Sequence, residues 1–150
     1  MKSCAGVAAV LLVIFLIWRS WPATRPATLG SKGGRLSDCP SSPNCVCSQG
    51  ADTDHGIEPL PLTGEPATAW QRLQRIVSAL PRARIVKVDD HYMHVEFTSL
   101  LCQYVDDVEF LADPAAGKIH VRSASRIGHS DLGVNRARVE QIRSRWSAGE

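Results

Sequence analysis

The sequence predicts an α+β domain, in which one helix, four mostly antiparallel strands in two hairpins and a C-terminal helix follow an N-terminal membrane anchor helix. Three observations predict this class. An uninterrupted apolar run opens the chain. Two later stretches carry apolar residues at spacings of three and four, which is typical of amphipathic helices. Between these stretches, apolar and polar residues alternate on both sides of two turn sequences, which is typical of hairpins.

The N-terminal segment places Lys2 before an apolar run that ends at Trp18. Residues 1–21 are therefore predicted to be a membrane anchor or a secretory signal. A cleavage site needs small residues after the run, but Arg19 and Trp21 stand there. We favour an uncleaved anchor and keep a cleaved signal as the alternative.

Residues 22–34 are rich in Pro, Ala, Thr, Gly and Ser, and this composition predicts a flexible tether. Residues 35–150 are long enough for a single domain. The signal-like start and the further cysteines favour a domain on the extracytoplasmic, periplasmic side of a cell membrane that the chain crosses once. The membrane is then a partner through residues 1–21.

Charge is distributed unevenly along the chain. Residues 1–34 carry four basic residues and no acidic one, whereas residues 35–150 carry thirteen lysines and arginines against fifteen aspartates and glutamates. The domain is therefore slightly acidic, although the whole chain has a formal net charge of +2. Because the domain also lacks a basic run interleaved with aromatic residues, we do not expect a nucleic acid among its partners.

Three of the five cysteines, Cys39, Cys45 and Cys47, are close together in the sequence. Cys39 and Cys45 flank a turn that contains proline and are the candidate disulfide, which leaves Cys102 to pair with Cys47. The sequence does not choose among the pairings, and free structural thiols are an alternative. Zinc bound by the three cysteines and His55 is a third hypothesis, but the C-x-x-C spacing of zinc fingers is missing. We expect no metal and no other cofactor.

The first amphipathic stretch covers residues 66–80. Trp70, Leu73 and Val77 recur at helical spacing, a proline begins the stretch, and Pro81 follows it. These features predict a helix that buries its apolar face in the core.

The sequence ARIVKVDDHYMHVEFTS predicts the first hairpin, with Asp90 and His91 at its tip. Val88 then lies opposite Met93, and Val86 lies opposite Val95, which gathers apolar side chains on one face. The other face carries Ile85, Lys87, Tyr92, His94 and Glu96. His94 is therefore predicted to be a surface histidine opposite Lys87 rather than a ligand.

The second hairpin is predicted around a turn at residues 113–116, with Ala112 opposite Gly117. This register aligns the apolar side chains of the two strands on one face. The polar face then carries two complementary pairs, Asp107 with Arg122 and Glu109 with His120. We interpret these pairs as a solvated ladder of weak cross-strand contacts.

Asp106 falls on the apolar face of that hairpin. A carboxylate there needs hydrogen-bond donors or a raised pKa, because an unpaired buried charge is costly. Ser123, Ser125, Arg126 and backbone amides are available in the loop that follows. We favour the hypothesis that Asp106 holds this loop to the sheet, and the alternative is an acid or base in a cleft.

The second amphipathic stretch predicts the C-terminal helix. Its buried stripe contains Val139, Ile142 and Trp146, and Asn135 extends the stripe to the start of the helix. The residues predicted to point largely outward are Arg138, Glu140 and Arg145.

The polar loop before this helix supplies most of the candidate binding residues. Ser130 or Asp131 is placed to cap the helix. Free amides at a helix start, approached by arginines, are also suited to a carboxylate or a phosphate. The candidates are Asp106, Arg122, Arg126, His129, Asp131, Asn135 and Arg136. An internal network of caps and salt bridges is favoured over a site for a small anion.

The sequence names no catalytic residue. His129, Ser130 and Asp131 have the residue types of a hydrolytic triad, but adjacent residues do not easily align as nucleophile, base and orienting group, and no G-x-S-x-G is present. Asp106 and Asp107 are neighbours on a strand and point to opposite faces. A P-loop, a Rossmann glycine pattern and H-E-x-x-H are also missing.

Four segments carry a resemblance to a known family. They are CPSSPNCVCS, HGIEPL, YVDDVEF and VRSASRIGHSDLGVNRARVE. In their order and spacing they resemble the domain of unknown function 1499 family, over about residues 36–146. The resemblance implies a small bacterial or plastid protein, often with an N-terminal export or membrane segment, and it supplies no activity. The family pattern usually has a small polar residue at the position of Cys47.

These features predict a binding or assembly module at the extracytoplasmic face of a membrane, with an unknown protein or a small anionic ligand as its partner. The alternative is a small hydrolase-like enzyme that uses Asp106 with the loop from Arg126 to Arg136. Leu100 and Leu101, between the hairpins, are expected to fill the core or to add an apolar contact.

Overall fold

The computed structural model describes residues 24–50 and 53–149, together with Val7 and Val10. From residue 24 onwards, the described residues form a six-stranded sheet and two helices, so the α+β class is confirmed. Almost all of the predicted anchor, residues 1–21, lies outside the described residues. Within the described part of the chain, no helix has the length and apolar character needed to cross a membrane.

The strands are β1 (Cys45–Cys47), β2 (Leu60–Pro61), β3 (Ala83–Val88), β4 (Tyr92–Thr98), β5 (Val105–Asp113) and β6 (Lys118–Ser125), and the helices are α1 (Pro66–Ser78) and α2 (Val134–Ala148). The sheet is antiparallel in the order β1-β6-β5-β4-β3, and β2 pairs with β6 on the same edge as β1. The four predicted strands are β3 to β6. The sequence analysis missed β1 and β2 because two or three residues are too few to show alternation.

Both helices begin and end close to their predicted positions. Pro66 occupies the first position of α1, and the carboxylate of Glu65 caps this helix by accepting hydrogen bonds from the backbone N–H groups of Ala67 and Thr68. In α2 the buried stripe contains Val139, Ile142 and Trp146, as predicted, and Asn135 is buried with them.

The two helices cover one face of the sheet, which we call the helix face. Alternation along the strands directs apolar side chains to this face. The strand residues of the core are Val46, Leu60, Met93, Val95, Phe97, Val108, Phe110, Ile119 and Val121. They pack against the buried faces of α1 and α2, and this core fixes which side chains the sheet presents on its opposite face.

The first hairpin differs from the prediction at one position. Val88 lies opposite Met93, and Lys87 lies opposite His94, as expected. A β-bulge then leaves Val86 without a partner, so that Ile85, rather than Val86, pairs with Val95. Because the extra residue reverses the alternation, Ile85 packs against the core instead of facing the other way.

The second hairpin is displaced by two residues from the predicted register. Ala112 pairs with Ile119 rather than with Gly117, and Asp113 pairs with Lys118. Gly117 has a φ of 63° and therefore belongs to the turn, where a left-handed conformation suits glycine. A shift of two residues keeps every side chain on its predicted face but changes its partner. Glu109 thus lies opposite Arg122, and Asp107 lies opposite Ala124.

Residues 24–40, which we call the strap, lie across the opposite face of the sheet. Arg25 donates to Glu96, the backbone N–H of Gly30 donates to Glu109, and Leu36 is buried with Tyr92 and Leu111. Much of the stretch predicted as a flexible tether is therefore docked on the sheet. We call this covered surface the strap face.

Candidate functional site

The strap face is polar and buried at the same time. The side chains that point toward the strap alternate with the core residues along β4, β5 and β6. The buried polar members are His94, Glu96, Asp107, Glu109 and Arg122. The interpretation of the Asp107, Glu109 and Arg122 pairs as a solvated ladder is wrong, because these three residues are buried beneath the strap.

Arg126 joins the carboxylates of two neighbouring strands. Its guanidinium group donates to Asp107 through Nε at 2.8 Å and Nη2 at 2.7 Å, and Nη2 also contacts Glu96 at 2.5 Å. Glu96 accepts further hydrogen bonds from Arg25 and Arg84. Since Asp107 and Glu96 are almost completely buried, these charge-assisted bonds compensate for the loss of their hydration.

His94 is buried and lies 2.7 Å from Asp107, measured from its Nε2 to Oδ1, so the prediction of a surface histidine is wrong. One ligand atom from each of His94, Glu96 and Asp107 falls within 4.8 Å of the others, which is a spacing that a metal ion can use. The guanidinium groups already bonded to the two carboxylates compete directly with a cation. The donor set therefore fits a metal poorly.

Glu109 is the centre of a second group on the same face. Its carboxylate accepts hydrogen bonds from the backbone N–H of Gly30 and the hydroxyl of Tyr92, both at 2.7 Å, and from Arg122 Nη1 at 3.2 Å. Burial and the neighbouring Glu109 charge raise the pKa of Tyr92, so its hydroxyl remains a donor. The strap is thus bonded to the sheet through backbone as well as side-chain groups.

Arg122 differs from its neighbours because its Nε–H group is buried without a hydrogen-bond partner among the described residues. Its side chain is 7% exposed. Buried donors are nearly always bonded, and a missing partner is costly. Arg122 therefore has a donor that the described part of the chain does not use.

A cleft of about 380 Å³ lies between the strap and β6, beside Arg122. The strap contributes Pro26, Thr28, Asp38, Cys39 and Pro40, and the sheet side contributes Asp107, Arg122, Ala124, Ser125 and Arg126. The volume is within the range of small-molecule sites. The cleft thus combines two arginines of the sheet side with polar groups of the strap.

The ionisation of the strap face follows from these contacts. Burial raises the pKa of Glu96, but hydrogen bonds from Arg25, Arg126 and Arg84 outweigh it and lower the pKa to about 2. Burial likewise opposes ionisation of Asp107, and bonds from Arg126 and His94 bring its pKa below its usual value. The hydrogen bonds that Arg126 donates to Asp107 raise the pKa of Arg126. Both carboxylates are therefore charged at neutral pH.

Asp106 lies on the helix face, as predicted, but its partner is Arg138. The Asp106 carboxylate accepts a hydrogen bond from Arg138 Nη2 at 2.5 Å. The prediction that Arg138 points outward is wrong, since its side chain is only 11% exposed. Arg138 also stacks over the ring of Phe97. Asp106 thus holds the C-terminal helix to the sheet, rather than the loop that precedes the helix.

Asn135 and Asp131 form an internal cap at the start of α2. Asp131 accepts hydrogen bonds from the backbone N–H groups of Gly133 and Asn135, and these bonds outweigh burial and lower its pKa. The Asn135 side chain donates to the Asn44 carbonyl and accepts from the Ser123 hydroxyl. The loop is therefore tied together by its own polar groups, as the favoured hypothesis expects.

The structure does not gather the other candidate residues around that helix start. Arg122 and Arg126 point to the strap face, whereas Arg136 donates to the backbone carbonyls of Asp54 and Gly56. His129 is exposed on the loop. A groove beside Asp106 is lined by Arg138 and by a mixture of apolar and polar residues, and neither His129 nor Arg136 is among them. These positions give no support to a hydrolytic site.

Cys39 and Cys45 are joined by a disulfide that ties the end of the strap to β1. Cys47 is a buried free thiol whose pKa is raised by burial, and Cys102 is an exposed free thiol. A bond between Cys47 and Cys102 is not formed in this structure. The bridged sulfurs are not available to zinc, and His55 instead contacts the Ser42 carbonyl.

Sequence reasoning missed His94, Glu96, Asp107, Glu109 and Arg122 as a buried group. One signal was present, since each of three adjacent strands carries ionisable residues at alternate positions on the same face. That pattern fits an exposed face equally well, and only the docked strap distinguishes the two cases.

Comparison with known proteins finds a match to one protein family. Residues 35–145 match the family described as protein of unknown function (DUF1499), which is well over half of the chain. No curated protein and no solved structure matches the sequence. The matched residues include the disulfide, the sheet, α1 and most of α2, and the first part of the strap precedes them.

Proposed function

The chain belongs to the DUF1499 family, a membership that brings no activity with it, and we propose that it is a binding module whose strap-face cleft takes a small oxyanion. The ligand class is a carboxylate or a phosphate. The single observation that carries this proposal is the buried Nε–H of Arg122, which has no partner among the described residues and lies beside a cleft of about 380 Å³.

The balance of charge on the strap face supports an anion. Three carboxylates, Glu96, Asp107 and Glu109, are paired with four guanidinium groups, from Arg25, Arg84, Arg122 and Arg126. The guanidinium groups therefore exceed the carboxylates by one positive charge (4 − 3 = 1). A bound oxyanion supplies the missing charge, and it accepts from a guanidinium edge in the planar geometry that carboxylates and phosphates share.

We also propose that the module is held outside the cytoplasm by the apolar segment at residues 1–21. The proposal is supported by the apolar run of that segment and by the disulfide between Cys39 and Cys45, a bond that persists in oxidising compartments. The cleft then samples ligands at the membrane surface.

The test is a titration with sodium phosphate and, separately, sodium acetate, each compared with sodium chloride at equal ionic strength. We expect saturable binding of at least one oxyanion. Arg122→Lys removes the free Nε–H and should weaken binding roughly 10- to 100-fold, because a hydrogen bond to a charged group contributes about 1.5 to 3 kcal/mol. Arg75→Lys is the matched control, since Arg75 is exposed on α1.

A second variant keeps the test independent of folding. Asp38 lines the cleft, and its side chain is 81% exposed, so Asp38→Asn removes a repulsive charge without disturbing the core. This variant should bind the oxyanion more tightly than the parent chain. If neither oxyanion binds better than chloride to the parent chain or to Asp38→Asn, the proposed function is wrong.

A further inference from the structure

One end of the sheet carries apolar side chains that the fold leaves in solvent. They are Leu100, Leu101, Ile127, Leu132 and Val134, which we call the apolar end. The exposed fraction reaches 83% for Leu101 and 94% for Leu132. An exposed group of large apolar residues at one place marks an interaction surface more often than isolated ones do.

The topology explains why these residues share one end. Leu100 and Leu101 follow the last residue of β4, and Ile127 and Leu132 follow the last residue of β6. The first residues of β5 pair with the last residues of both strands, as Asp106 does with Phe97 and Ser125. Both loops therefore leave the sheet side by side, and they border a common groove of about 630 Å³ that Leu100 and Val134 line.

The backbone at Leu132 is a second, independent observation. Leu132 has a φ of 55°, a left-handed conformation that is unfavourable for a residue with a side chain. The strained backbone carries one of the most exposed leucines of the molecule, so neither local geometry nor burial accounts for a leucine here. Such strain is found preferentially at functional positions.

The position of the strap indicates that the membrane lies near the apolar end. Arg25 is bonded to Glu96, two residues before the end of β4, so the chain meets the sheet beside the apolar end. Arg25 lies only seven positions after Trp18, where the apolar run stops. Seven residues span at most about 25 Å. A bilayer that holds the apolar run is therefore close to the apolar end.

We propose that the apolar end docks onto the lipid bilayer and inserts its leucines among the headgroups and upper acyl chains. The docking rests on the membrane anchorage proposed above. It fixes the orientation of the domain, since the hairpin turns at the opposite end of the sheet then point away from the membrane.

Cys102 provides a native position for the test, because it is exposed and adjacent to Leu101. The full chain with Cys4→Ser is labelled at Cys102 with an environment-sensitive fluorophore and reconstituted in phosphatidylcholine vesicles that contain an acyl-chain quencher lipid. Cys47 is buried and stays unlabelled in the native protein. The matched control adds Cys102→Ser and Ala115→Cys, which moves the label to the turn between β5 and β6.

We expect strong quenching of the label at Cys102 and none at position 115. Leu101→Ser combined with Leu132→Ser should reduce quenching about tenfold at unchanged melting temperature, since it removes two apolar side chains from the lipid contact.

Three other outcomes overturn the inference and are distinguishable. If the chain floats with the vesicles but the Cys102 label is not quenched, the anchorage stands and the docking is wrong. If the label shifts only as protein density in the vesicles rises, independently of quencher lipid, a second copy covers this surface and the docking is again wrong. A chain that does not float with the vesicles overturns both the anchorage and the docking.

Discussion

Asp107 shows how a single buried residue is stabilised on the strap face. It is 1% exposed and accepts hydrogen bonds from Arg126 and His94, so its charge is compensated on two sides. Removing one member of such a buried pair costs more than the pair itself contributes, because the remaining charge is left without a partner. The stability of this face thus depends on complete pairing.

The first prediction concerns the replacement of this carboxylate. Asp107→Asn should lower the free energy of unfolding by roughly 3 to 5 kcal/mol, since Arg126 loses a charged partner inside the structure. Asp90→Asn, at the exposed tip of the first hairpin, should change it by less than about 0.5 kcal/mol. Denaturant unfolding at neutral pH measures both. Equal losses would mean that Asp107 is hydrated in solution.

The second prediction concerns acid. The pKa of Glu96 is about 2, and that of Asp107 is lowered too, so both bind protons more weakly in the folded than in the unfolded chain. Their stabilisation is present above about pH 5 and is lost as the pH falls toward 2. Glu96 alone accounts for at most about 3 kcal/mol of this loss. The unfolding free energy, measured between about pH 6 and pH 3, should therefore decline less steeply in Glu96→Gln than in the parent chain. Parallel curves would contradict the pairing of Glu96 with the arginines.

At the scale of elements, the strap determines the character of one whole face of the sheet. The strands alone present ionisable residues at alternate positions, and a bare sheet of this kind is normally hydrated. Arg25, Gly30 and Leu36 convert the same residues into a buried layer. The strap is therefore part of the domain, although it has no regular secondary structure beyond a bridge between Lys32 and Arg35.

Shortening the strap tests this role. A chain that begins at residue 35 loses the bonds from Arg25 to Glu96 and from Gly30 to Glu109, whereas a chain that begins at residue 24 keeps them. The shorter chain should be less stable by about 2 kcal/mol or more, since each lost bond involves a charged acceptor. Guanidinium unfolding compares the two chains, and indistinguishable midpoints would show that residues 24–34 of the strap contribute nothing to stability.

Sequence reasoning succeeded for elements with strong periodicity and failed where distant segments meet. The helical spacing of Trp70, Leu73 and Val77 reflects contacts within one element, so a single sequence reveals it. The two-residue register shift of the second hairpin left the faces correct, because side chains repeat every two residues. The burial of His94 depends on the strap, which lies more than fifty residues earlier in the chain. The sequence around His94 itself gives no sign of this burial.

At the scale of the whole molecule, the sheet separates two surfaces with different chemistry. The helix face holds the apolar core, and the strap face holds paired charges and the cleft. The chain enters on the strap face beside the apolar end. In the proposed arrangement, the apolar end contacts the membrane, and the strap-face cleft opens close to the membrane surface.

The placement at a membrane gives a prediction of its own. If residues 1–21 are an uncleaved anchor, the full chain should stay in the membrane fraction through a carbonate wash and keep its N-terminal mass. A chain that begins at residue 24 serves as the control and should be washed out. A shortened, soluble product of the full-length gene would contradict the anchor and support a cleaved signal.

The central claim, that Arg122 uses its free Nε–H to hold an oxyanion in the strap-face cleft, is tested most directly by observing that group. In a ¹⁵N-labelled chain, the Nε–H resonance of Arg122, assigned through its loss in Arg122→Lys, is followed during titration with sodium phosphate or sodium acetate. The account predicts a saturable shift of this resonance, larger than that of the Nε–H of Arg143, which is bonded to Glu140 on α2. If the Arg122 resonance does not shift in either titration, even at salt concentrations that saturate any binding seen elsewhere in the protein, the central claim is wrong.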